Sequence, residues 1–394
     1  MQQGLRLGER ALFPALEAQA YLAHAAVSPP SRVVQEAVSA CLADYGARGI
    51  HAAIAAVGLR QRLRGQLAEL LGAQPEQLGL IQSTTAGVIA IARSIVFQPG
   101  ERVIVFAGEF PANVTPWQCV ARERDLELVM LPLAPFLRSA DEGLDLVARE
   151  LARGARLVAV SAVQFQTGLR MPLAELSALC HRHGAELFVD AIQAVGAVPL
   201  DVHALDVDYL AAGAHKFLMG IEGAGVLYVH PRCMQQLSLG LAGWTGHEDA
   251  FAFLRGEPDL LRYDRPLVRS ASFVEQGALS IASCAALSAS LTLLLDLGID
   301  VVFRHVNQYL DALEPCLSEL GFESLRCADE PRRSAMLCAR PPAALSAGTI
   351  AQALQAAGIV ISTPDGHVRF APHWPNGLHE VELVASELRK LMRG

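Results

Sequence analysis

The chain has 394 residues with a formal net charge of −8, and 52% of the residues are hydrophobic while 18% are charged. This composition is typical of a folded globular enzyme and excludes a disordered or fibrous protein. The charge is scattered without a basic patch, which argues against a nucleic-acid partner. Eight widely spaced cysteines without a C-x-x-C pair predict reduced thiols in a cytoplasmic protein.

Two stretches bear on targeting and on membranes. The opening residues, MQQGLRLGERALF, carry charges and lack an apolar core, so we expect no secretory signal peptide. Residues 277–295 carry no charge, but they are rich in alanine and serine and are followed directly by Asp296. This stretch predicts a packed interior helix and not a membrane span, so no membrane partner is expected.

The N-terminal part of the chain predicts an arm, a loop, a helix and an anion site. Residues 1–20 are expected to form the arm, and the loop of residues 21–30 ends at two prolines before Ser31 caps a helix. A short strand over residues 78–82 then leads into a helix that begins with STTAG. Hydroxyls and free N–H groups at a helix N-terminus bind phosphate, and the alternative is an ordinary serine or threonine cap.

Two further predicted strands end in polar segments. Residues 102–107 are followed by the turn GEFPANVTPW, which contains Phe110 and Asn113. Residues 157–163 are followed by QFQTG, which contains Gln166. A helix over residues 172–183 continues an alternation of strands and helices that predicts a mostly parallel sheet.

The stretch over residues 187–228 has the strongest chemical content. Asp190 ends one apolar run, and Lys216 follows shortly after a second apolar run over residues 207–212. Both strand ends point to the carboxyl edge of a parallel sheet, where α/β folds bind ligands. Burying these charges without partners is costly. A pyridoxal phosphate would satisfy both, because the lysine forms an imine with its aldehyde and the aspartate holds its pyridine nitrogen protonated.

The ordered motifs DxxQ at 190–193, HK at 215–216 and GxxGxG at 220–225 resemble those of the class V aminotransferases, a group that includes cysteine desulfurases and kynureninase. The resemblance covers residues 21–228 and continues more weakly to Arg369. It implies the α/β fold of fold type I enzymes, with a large domain over residues 21–275 that contains a mostly parallel seven-stranded sheet. A small C-terminal α+β domain over residues 276–394, joined by the arm, and a homodimer are also implied.

The resemblance also implies roles for individual residues. Lys216 would form the internal aldimine and act as base and acid at the substrate Cα, and no metal is expected. The implied catalytic residues are Lys216, Asp190, which protonates the ring nitrogen, and Gln193, which bonds the ring hydroxyl. The implied cofactor-binding residues are Thr84, Thr85, Ala86, Phe110, which stacks on the ring, Asp190, Gln193, His215 and Lys216. The implied substrate-binding residues are Arg369, which suits a carboxylate, Asn113, His24 and Gln166.

Several positions depart from the pattern of the cysteine desulfurases. Phe110 stands where they carry a histidine, Phe165 where they carry an asparagine, and the turn over residues 363–368 contains no cysteine. A threonine that reaches the phosphate of a partner subunit is replaced by Ala278. A persulfide-forming mechanism needs a reachable thiolate, so the turn without cysteine and the replacement of the histidine by Phe110 predict that the protein is not a cysteine desulfurase.

We therefore expect a pyridoxal-phosphate-dependent class V aminotransferase that acts on the α-amino group of an amino acid or a related amine. Elimination at the β or γ carbon, including C–S cleavage, and epimerisation stay open because all three begin with the same carbanion. A regulatory protein that only holds the cofactor is the alternative outside enzymes.

Overall fold

The computed structural model describes residues 4–251 and 263–393. Residues 1–3 of the predicted arm, 252–262 of the predicted large domain and 394 of the predicted small domain lie outside this part. The strands are β1 (Ala20–Tyr21), β2 (Leu78–Ile81), β3 (Arg102–Ala107), β4 (Glu127–Pro132), β5 (Leu157–Ser161), β6 (Glu186–Asp190), β7 (Tyr209–Gly213), β8 (Gly225–Val229), β9 (Glu323–Ser324), β10 (Leu337–Arg340), β11 (Ile359–Val360) and β12 (Val368–Phe370). The helices are α1 (Arg32–Arg48), α2 (Ile50–Leu71), α3 (Thr84–Ser94), α4 (Thr115–Arg124), α5 (Ala134–Arg138), α6 (Ala140–Leu151), α7 (Leu173–Arg182), α8 (Pro231–Met234), α9 (Ile281–Leu297), α10 (Ile299–Glu319), α11 (Ala347–Ala356) and α12 (His379–Arg393).

The main sheet has seven strands in the order β2-β8-β7-β6-β5-β3-β4. The strands from β7 to β4 pair in parallel, whereas β8 pairs antiparallel with both β7 and β2. The predicted α/β fold with a mostly parallel seven-stranded sheet is therefore confirmed. The carboxyl ends of β6 and β7 are adjacent, because Asp190 is the register partner of Ala211.

Strands β5 to β8 are buried at every position, which requires cover on both faces of the sheet. Alternate side chains enter two separate cores. Val189 belongs to the larger core, and its neighbour Phe188 belongs to the smaller one. On the smaller side the ring of Trp117 on α4 packs edge-on against Phe188, with centroids 5.4 Å apart.

Two helix starts follow the predicted capping pattern. The Ser31 hydroxyl accepts a hydrogen bond from the Val34 N–H, and the Ser83 hydroxyl accepts one from the Ala86 N–H. The predicted Ser31 cap is confirmed, and Ser83 forms the cap that was the alternative reading at α3. Each hydroxyl satisfies a backbone donor that has no partner within its helix. The first helix extends to Arg48, and α2 follows after Gly49.

The C-terminal lobe contains the antiparallel sheet β12-β10-β9 together with α10, α11 and α12. This arrangement confirms the predicted small α+β lobe. The N-terminal arm joins it, because β1 pairs in parallel with β11 and the Gly8 N–H donates to the Trp374 carbonyl at 2.7 Å. The domain boundaries at residues 20 and 275 stay predictions.

The uncharged stretch over residues 277–295 forms α9, which Ser280 caps. Most of its side chains are buried, and the Gln66 side chain of α2 donates to the Ser288 carbonyl at 3.1 Å. The predicted interior helix is therefore confirmed. In the ranges 4–251 and 263–393, no single helix is long and apolar enough to cross a membrane, and only α9 with α10, bent by 80°, passes that test as a pair.

Candidate active site

Asp190 lies at the carboxyl end of β6 with a side chain that is only 3% exposed. Its Oδ1 atom accepts a hydrogen bond of 3.1 Å from the Ile192 N–H. Burial raises the pKa of Asp190, and the nearby charge of Glu109 adds to this rise, while Lys216 opposes it. A buried carboxylate in this position requires a cationic partner.

Lys216 lies on the turn that follows β7, three residues after the strand ends at Gly213. Burial lowers its pKa, the charge of Asp190 opposes that change, and the charge of Arg369 adds to it. These electrostatic effects indicate that all three residues border one site. Among the described residues, no hydrogen bond or ion pair reaches the Lys216 Nζ atom, which leaves the amine free to react. The sequence contains only one other lysine, Lys390.

Gln193 lies between the sheet edge and the N-terminal loop. Its Nε2 atom donates to the Ala25 carbonyl at 3.1 Å, and its side chain is 4% exposed. The Oε1 atom is buried and has no hydrogen-bond partner in the part of the chain that the structure describes. A buried, unpaired amide oxygen is costly, so this atom points to a missing ligand.

The start of α3 provides the candidate phosphate site. The Thr85 side chain is exposed at the first turn of this eleven-residue helix, while the Thr84 hydroxyl accepts from the Gly213 N–H at 2.9 Å. A Cβ atom added at Gly213 would lie 3.4 Å from both Thr84 Oγ1 and His215 Nδ1. Thr84 and His215 therefore both lie beside Gly213 at the end of β7. Burial lowers the pKa of His215, and Lys216 adds to this effect.

Phe110 forms the open side of the site. Its ring is 49% exposed and packs edge-on against Phe165, with centroids 5.4 Å apart and planes at 84°. The Lys216 Nζ atom lies 5.7 Å from the centroid of the Phe110 ring. An exposed aromatic ring beside a reactive amine is suited to stacking on a planar cofactor.

Arg369 lies in the middle of β12 and is 5% exposed. Its Nε atom donates to the Ser362 hydroxyl at 2.9 Å, and Nη1 donates to the Phe165 carbonyl at 2.9 Å. Among the described residues, no group accepts a hydrogen bond from Nη2. Burial lowers the pKa of Arg369. The guanidinium is thus fixed in direction while one donor group stays available for an anion.

The other three sequence-predicted substrate residues have partners within the chain. His24 is 1% exposed and its Nδ1 atom lies 2.8 Å from the Ser28 hydroxyl. Asn113 is completely buried and accepts from the Trp117 indole N–H at 3.3 Å. Gln166 donates to Asp365 at 2.9 Å near the surface. Asp365, the partner of Gln166, lies on the turn that directly precedes the strand of Arg369.

Glu109 is a buried site residue that sequence reasoning missed. Its carboxylate accepts from the Ser161 N–H at 2.7 Å, from the Ser161 hydroxyl and from the Gln164 amide at 2.9 Å. Burial raises the pKa of Glu109, and these hydrogen bonds oppose the rise. Its position directly before Phe110, at the end of a buried strand, was the available signal.

These residues fit pyridoxal phosphate. The unpaired Gln193 oxygen and the buried Asp190 carboxylate offer partners for the ring hydroxyl and a protonated ring nitrogen, and Lys216 offers a free amine. The start of α3 with the exposed Thr85 hydroxyl offers donors for a phosphate. Among the described residues, no cluster of histidine, cysteine, aspartate or glutamate side chains is arranged to hold a metal ion.

Comparison with known proteins identifies the family. The model of the family described as aminotransferase class-V matches residues 20–373. The chain belongs to this family. Its cofactor is pyridoxal phosphate, and the protein is a class V enzyme that depends on it.

Individual relatives divide between two descriptions. An uncharacterized aminotransferase of Bacillus subtilis is 26% identical over 96% of this chain and 96% of its own. A cysteine desulfurase of Dickeya dadantii is 33% identical over 75% of this chain and 72% of its own. A solved cysteine desulfurase of Escherichia coli superposes with a TM-score of 0.83 and 25% identity, covering 98% of this chain and 97% of that one. A solved cystine C–S lyase, with glycine covalently linked to its pyridoxal phosphate, superposes with a TM-score of 0.87. The match has 24% identity and covers 96% of this chain and 98% of that one, so this likeness concerns the fold.

The sequence-based exclusion of cysteine desulfurase chemistry is wrong. The similarity to cysteine desulfurases extends over 75% of this chain in one relative and over 98% in a solved structure. The exclusion relied on one turn without cysteine and on the replacement of one ring-stacking residue. Those positions are few, whereas the similarity extends over most of the chain.

Proposed function

We propose that the protein removes sulfur from cysteine or from a cysteine-derived amino acid, as cysteine desulfurases do. The observation that carries the proposal is the 33% identity to a cysteine desulfurase over 75% of this chain. The site supports it, because a free lysine amine, a buried carboxylate and a fixed guanidinium border one space. A small amino acid needs little more than these groups for binding and activation.

The substrate end of the site is assigned to Arg369 and Lys216. Arg369 would bind the substrate carboxylate through its available Nη2 donor, while Ser362 and Phe165 hold the other donors in place. Because its pKa is lowered by burial, Lys216 is suited to exchange protons at Cα near neutral pH. Gln166, which donates to Asp365, would contact the outer part of the substrate.

The cofactor end of the site is assigned to residues of β6, β7 and α3. When bound, pyridoxal phosphate supplies an electron sink that stabilises negative charge at the substrate Cα. Asp190 would hold the proton on the ring nitrogen, Gln193 would bond the ring hydroxyl and Phe110 would cover the ring. The phosphate would be bound by Thr84, Thr85 and His215, and the Ala86 N–H would turn to it from the Ser83 hydroxyl.

Sulfur transfer requires a thiol acceptor. In that reaction the C–S bond of cysteine breaks, a new S–S bond forms on the acceptor, and cysteine becomes alanine. Cys338 is the register partner of Arg369, but it is fully buried and burial raises the pKa of its thiol to about 12. Cys119 is exposed and borders the same cleft as Phe110. Of these two thiols, Cys119 is the proposed acceptor, and an external thiol is the alternative.

Elimination is the second candidate, and the turn over residues 363–368 favours it because no thiol is present there. In this reaction cysteine and water give pyruvate, ammonia and hydrogen sulfide without an acceptor. Lys216 would serve both routes, because each begins with removal of the Cα proton.

We also propose a homodimer in the cytoplasm. Gly277 and Ala278 border a cleft together with Gln82 and Ala86 at the start of α3. In a dimer, the corresponding segment of a second copy would lie beside the phosphate. A light-scattering mass that equals one 42.1 kDa chain for the active, cofactor-loaded protein would contradict this proposal.

The function is tested by incubating the loaded protein with L-cysteine and dithiothreitol and measuring alanine, pyruvate and sulfide. We expect alanine and sulfide in equal amounts. Pyruvate with ammonia would instead identify the elimination, and an amine transferred to an added keto acid would contradict both candidates.

A Cys119→Ser variant, with Cys338→Ser as the matched buried control, locates the acceptor. Alkylation and peptide mapping after a single turnover without dithiothreitol are expected to show a persulfide on Cys119. Unchanged alanine formation by Cys119→Ser with dithiothreitol, and no persulfide on any of the eight cysteines without it, would assign an external acceptor.

A further inference from the structure

Four consecutive carbonyl oxygens hold the turn that carries Lys216. These are the carbonyls of residues 215–218, and each accepts a hydrogen bond from a distant part of the chain. The backbone N–H and the hydroxyl of Ser28 donate to the first two, each at 2.7 Å. The His373 Nε2 atom donates to the third at 2.9 Å, and the Ser290 hydroxyl donates to the fourth at 2.6 Å. The backbone on both sides of the lysine is therefore fixed from outside.

The contact between His24 and Ser28 has a definite direction. The Ser28 hydroxyl has one hydrogen, which it donates to the Lys216 carbonyl. The His24 Nδ1 atom lies 2.8 Å from the Ser28 hydroxyl oxygen. Because the hydroxyl hydrogen is already donated to Lys216, His24 must be the donor in this contact. Burial lowers the pKa of His24 well below its usual range, and the nearby His373 adds to this effect. A neutral His24 with its proton on Nδ1 therefore orients the Ser28 hydroxyl toward the lysine turn.

His373 has the opposite tautomer. Its Nδ1 atom accepts from the Trp374 N–H at 2.8 Å, so its proton is on Nε2 and points to the Phe217 carbonyl. Space for this carbonyl depends on Gly196, because a Cβ there would lie 2.3 Å from the Phe217 oxygen. Both histidines are thus neutral donors in a chain of hydrogen bonds that ends on the lysine turn.

The same backbone unit carries the predicted carboxylate-binding residue. The N-terminal loop pairs with the segment after β12, because the His24 N–H donates to the Ala371 carbonyl at 3.2 Å and the Ala371 N–H donates to the Leu22 carbonyl at 2.7 Å. Arg369 lies two residues before Ala371. The groups that hold the lysine turn and the guanidinium assigned to the substrate therefore belong to one connected piece of structure.

We propose that Ser28, oriented by His24, is a positioning residue for Lys216. Together with the Met219 N–H, which donates to the same Lys216 carbonyl at 2.8 Å, its hydroxyl fixes the peptide plane that follows the lysine and thereby sets the direction in which the amine approaches the reacting carbon. This inference rests on the proposed role of Lys216. Small errors in the placement of a reacting group reduce the rate strongly, whereas the binding of the substrate carboxylate elsewhere is little affected.

Three variants isolate the hydroxyl. Ser28→Ala removes it and keeps the backbone N–H that donates to the His215 carbonyl. Ser28→Thr restores a hydroxyl on the same carbon. Ser177→Ala is the matched control. Ser177 lies on α7, and its buried hydroxyl donates to the Asp206 carbonyl at 2.6 Å. This part of the protein does not contact the lysine turn.

The first readout is the pH midpoint of the visible absorbance change of the bound cofactor, which reports on the Lys216 nitrogen without turnover. We expect a shift of about 0.5 pH unit or more in Ser28→Ala, because the lysine side chain is no longer held in one direction. The second readout is the kinetic split: kcat falls about tenfold while KM changes less than about twofold. Ser28→Thr is expected to restore both values.

The proposal is overturned if Ser28→Ala has the absorbance midpoint and the kcat of Ser177→Ala. If Ser28→Ala does not fold, His24→Phe provides the same test, because it removes the donor that orients Ser28 and leaves the hydroxyl in place. Unchanged midpoint and kcat in that variant would overturn the proposal equally. Borohydride reduction of the wild-type protein tests the proposed function separately from the role of Ser28. A missing adduct on Lys216 would reject the proposed function and not the hydrogen-bond chain.

Discussion

The Lys216 amine and the Phe110 ring define opposite limits of the cofactor space, with Nζ 5.7 Å from the ring centroid. The ring is exposed on its outer side, and Phe165 supports it edge-on. The amine is separated from the ring by about the space that a planar heterocycle needs. This relationship places the reacting atom on the loop after β7 and the stacking surface on the loop after β3, two strands that β6 and β5 separate in the sheet.

Replacement of Phe110 tests the stacking surface. We expect Phe110→Leu to weaken pyridoxal phosphate binding about fivefold to tenfold, because an aromatic pair contributes about 1 kcal/mol beyond its buried area. Phe110→Tyr keeps the ring and should bind as the wild type does. Titration of the apoprotein with the cofactor, followed by absorbance, measures both constants. Equal affinities for the leucine and tyrosine variants would remove the assigned role.

Lys216→Ala is expected to abolish the yellow colour and the borohydride-reducible adduct. Lys390 is the matched control, because it is the only other lysine of the sequence and pairs with Glu387 at the surface. Lys390→Ala should keep both properties. Peptide mapping after reduction measures the outcome directly, and an adduct on Lys390 in the wild-type protein would contradict the assignment.

Arg369→Ala is expected to lower kcat/KM for L-cysteine by about 100-fold, because a charged hydrogen bond to the substrate carboxylate contributes about 1.5–3 kcal/mol. Cysteamine lacks that carboxylate, so its slow turnover should be unchanged by the substitution. Arg340→Ala serves as the control, since Arg340 lies on the same small sheet but pairs with Glu323 at the surface. A loss of equal size with cysteamine would show that Arg369 acts only through the fold.

The buried histidines predict a dependence of stability on pH. Burial lowers the pKa of His373 to about 4 from 6.5, and burial also lowers the pKa of His24. Between these values the unfolded chain binds protons that the folded chain does not bind. The free energy of unfolding should therefore fall as the pH falls from about 6.5 to about 4, by up to about 1.4 kcal/mol per pH unit for each histidine.

Urea unfolding of the apoprotein at a series of pH values between 7 and 4.5 measures this slope. His24→Asn removes one titrating group. It should therefore reduce the slope of the unfolding free energy against pH by up to about 1.4 kcal/mol per pH unit, the contribution of one proton. Ser177→Ala should lower the free energy of unfolding without changing the slope. An identical slope in the wild-type protein and His24→Asn would show that His24 binds its proton equally in both states.

The sequence predicted those parts of the site that depend on local pattern. Asp190 and Lys216 each follow an apolar run, and parallel strands bring such ends to one edge of a sheet. The caps at Ser31 and Ser83 also follow from neighbouring residues. These features need no knowledge of distant contacts.

The remaining features depend on segments that are far apart in the chain. Ser28 meets the lysine turn 188 residues later, and no local pattern marks it. Glu109 meets Ser161 on another strand, and its position after a buried strand is the only local sign of its role. The exclusion of desulfurase chemistry failed for a related reason. It weighed the short turn over residues 363–368 and the single replacement at Phe110, while the sequence similarity that decides the question extends over 75% of the chain.

The scarcity of lysine has a practical consequence for handling the protein. Free pyridoxal phosphate is an aldehyde that condenses with accessible amines, and in most proteins surface lysines compete for it. Here Lys390 is the only ε-amine besides Lys216. The stoichiometry of bound chromophore after desalting can therefore serve as a count of competent sites. Once Lys390 has been replaced, Lys216 carries the only ε-amine, and the α-amine is the one other group that an amine-reactive dye can label.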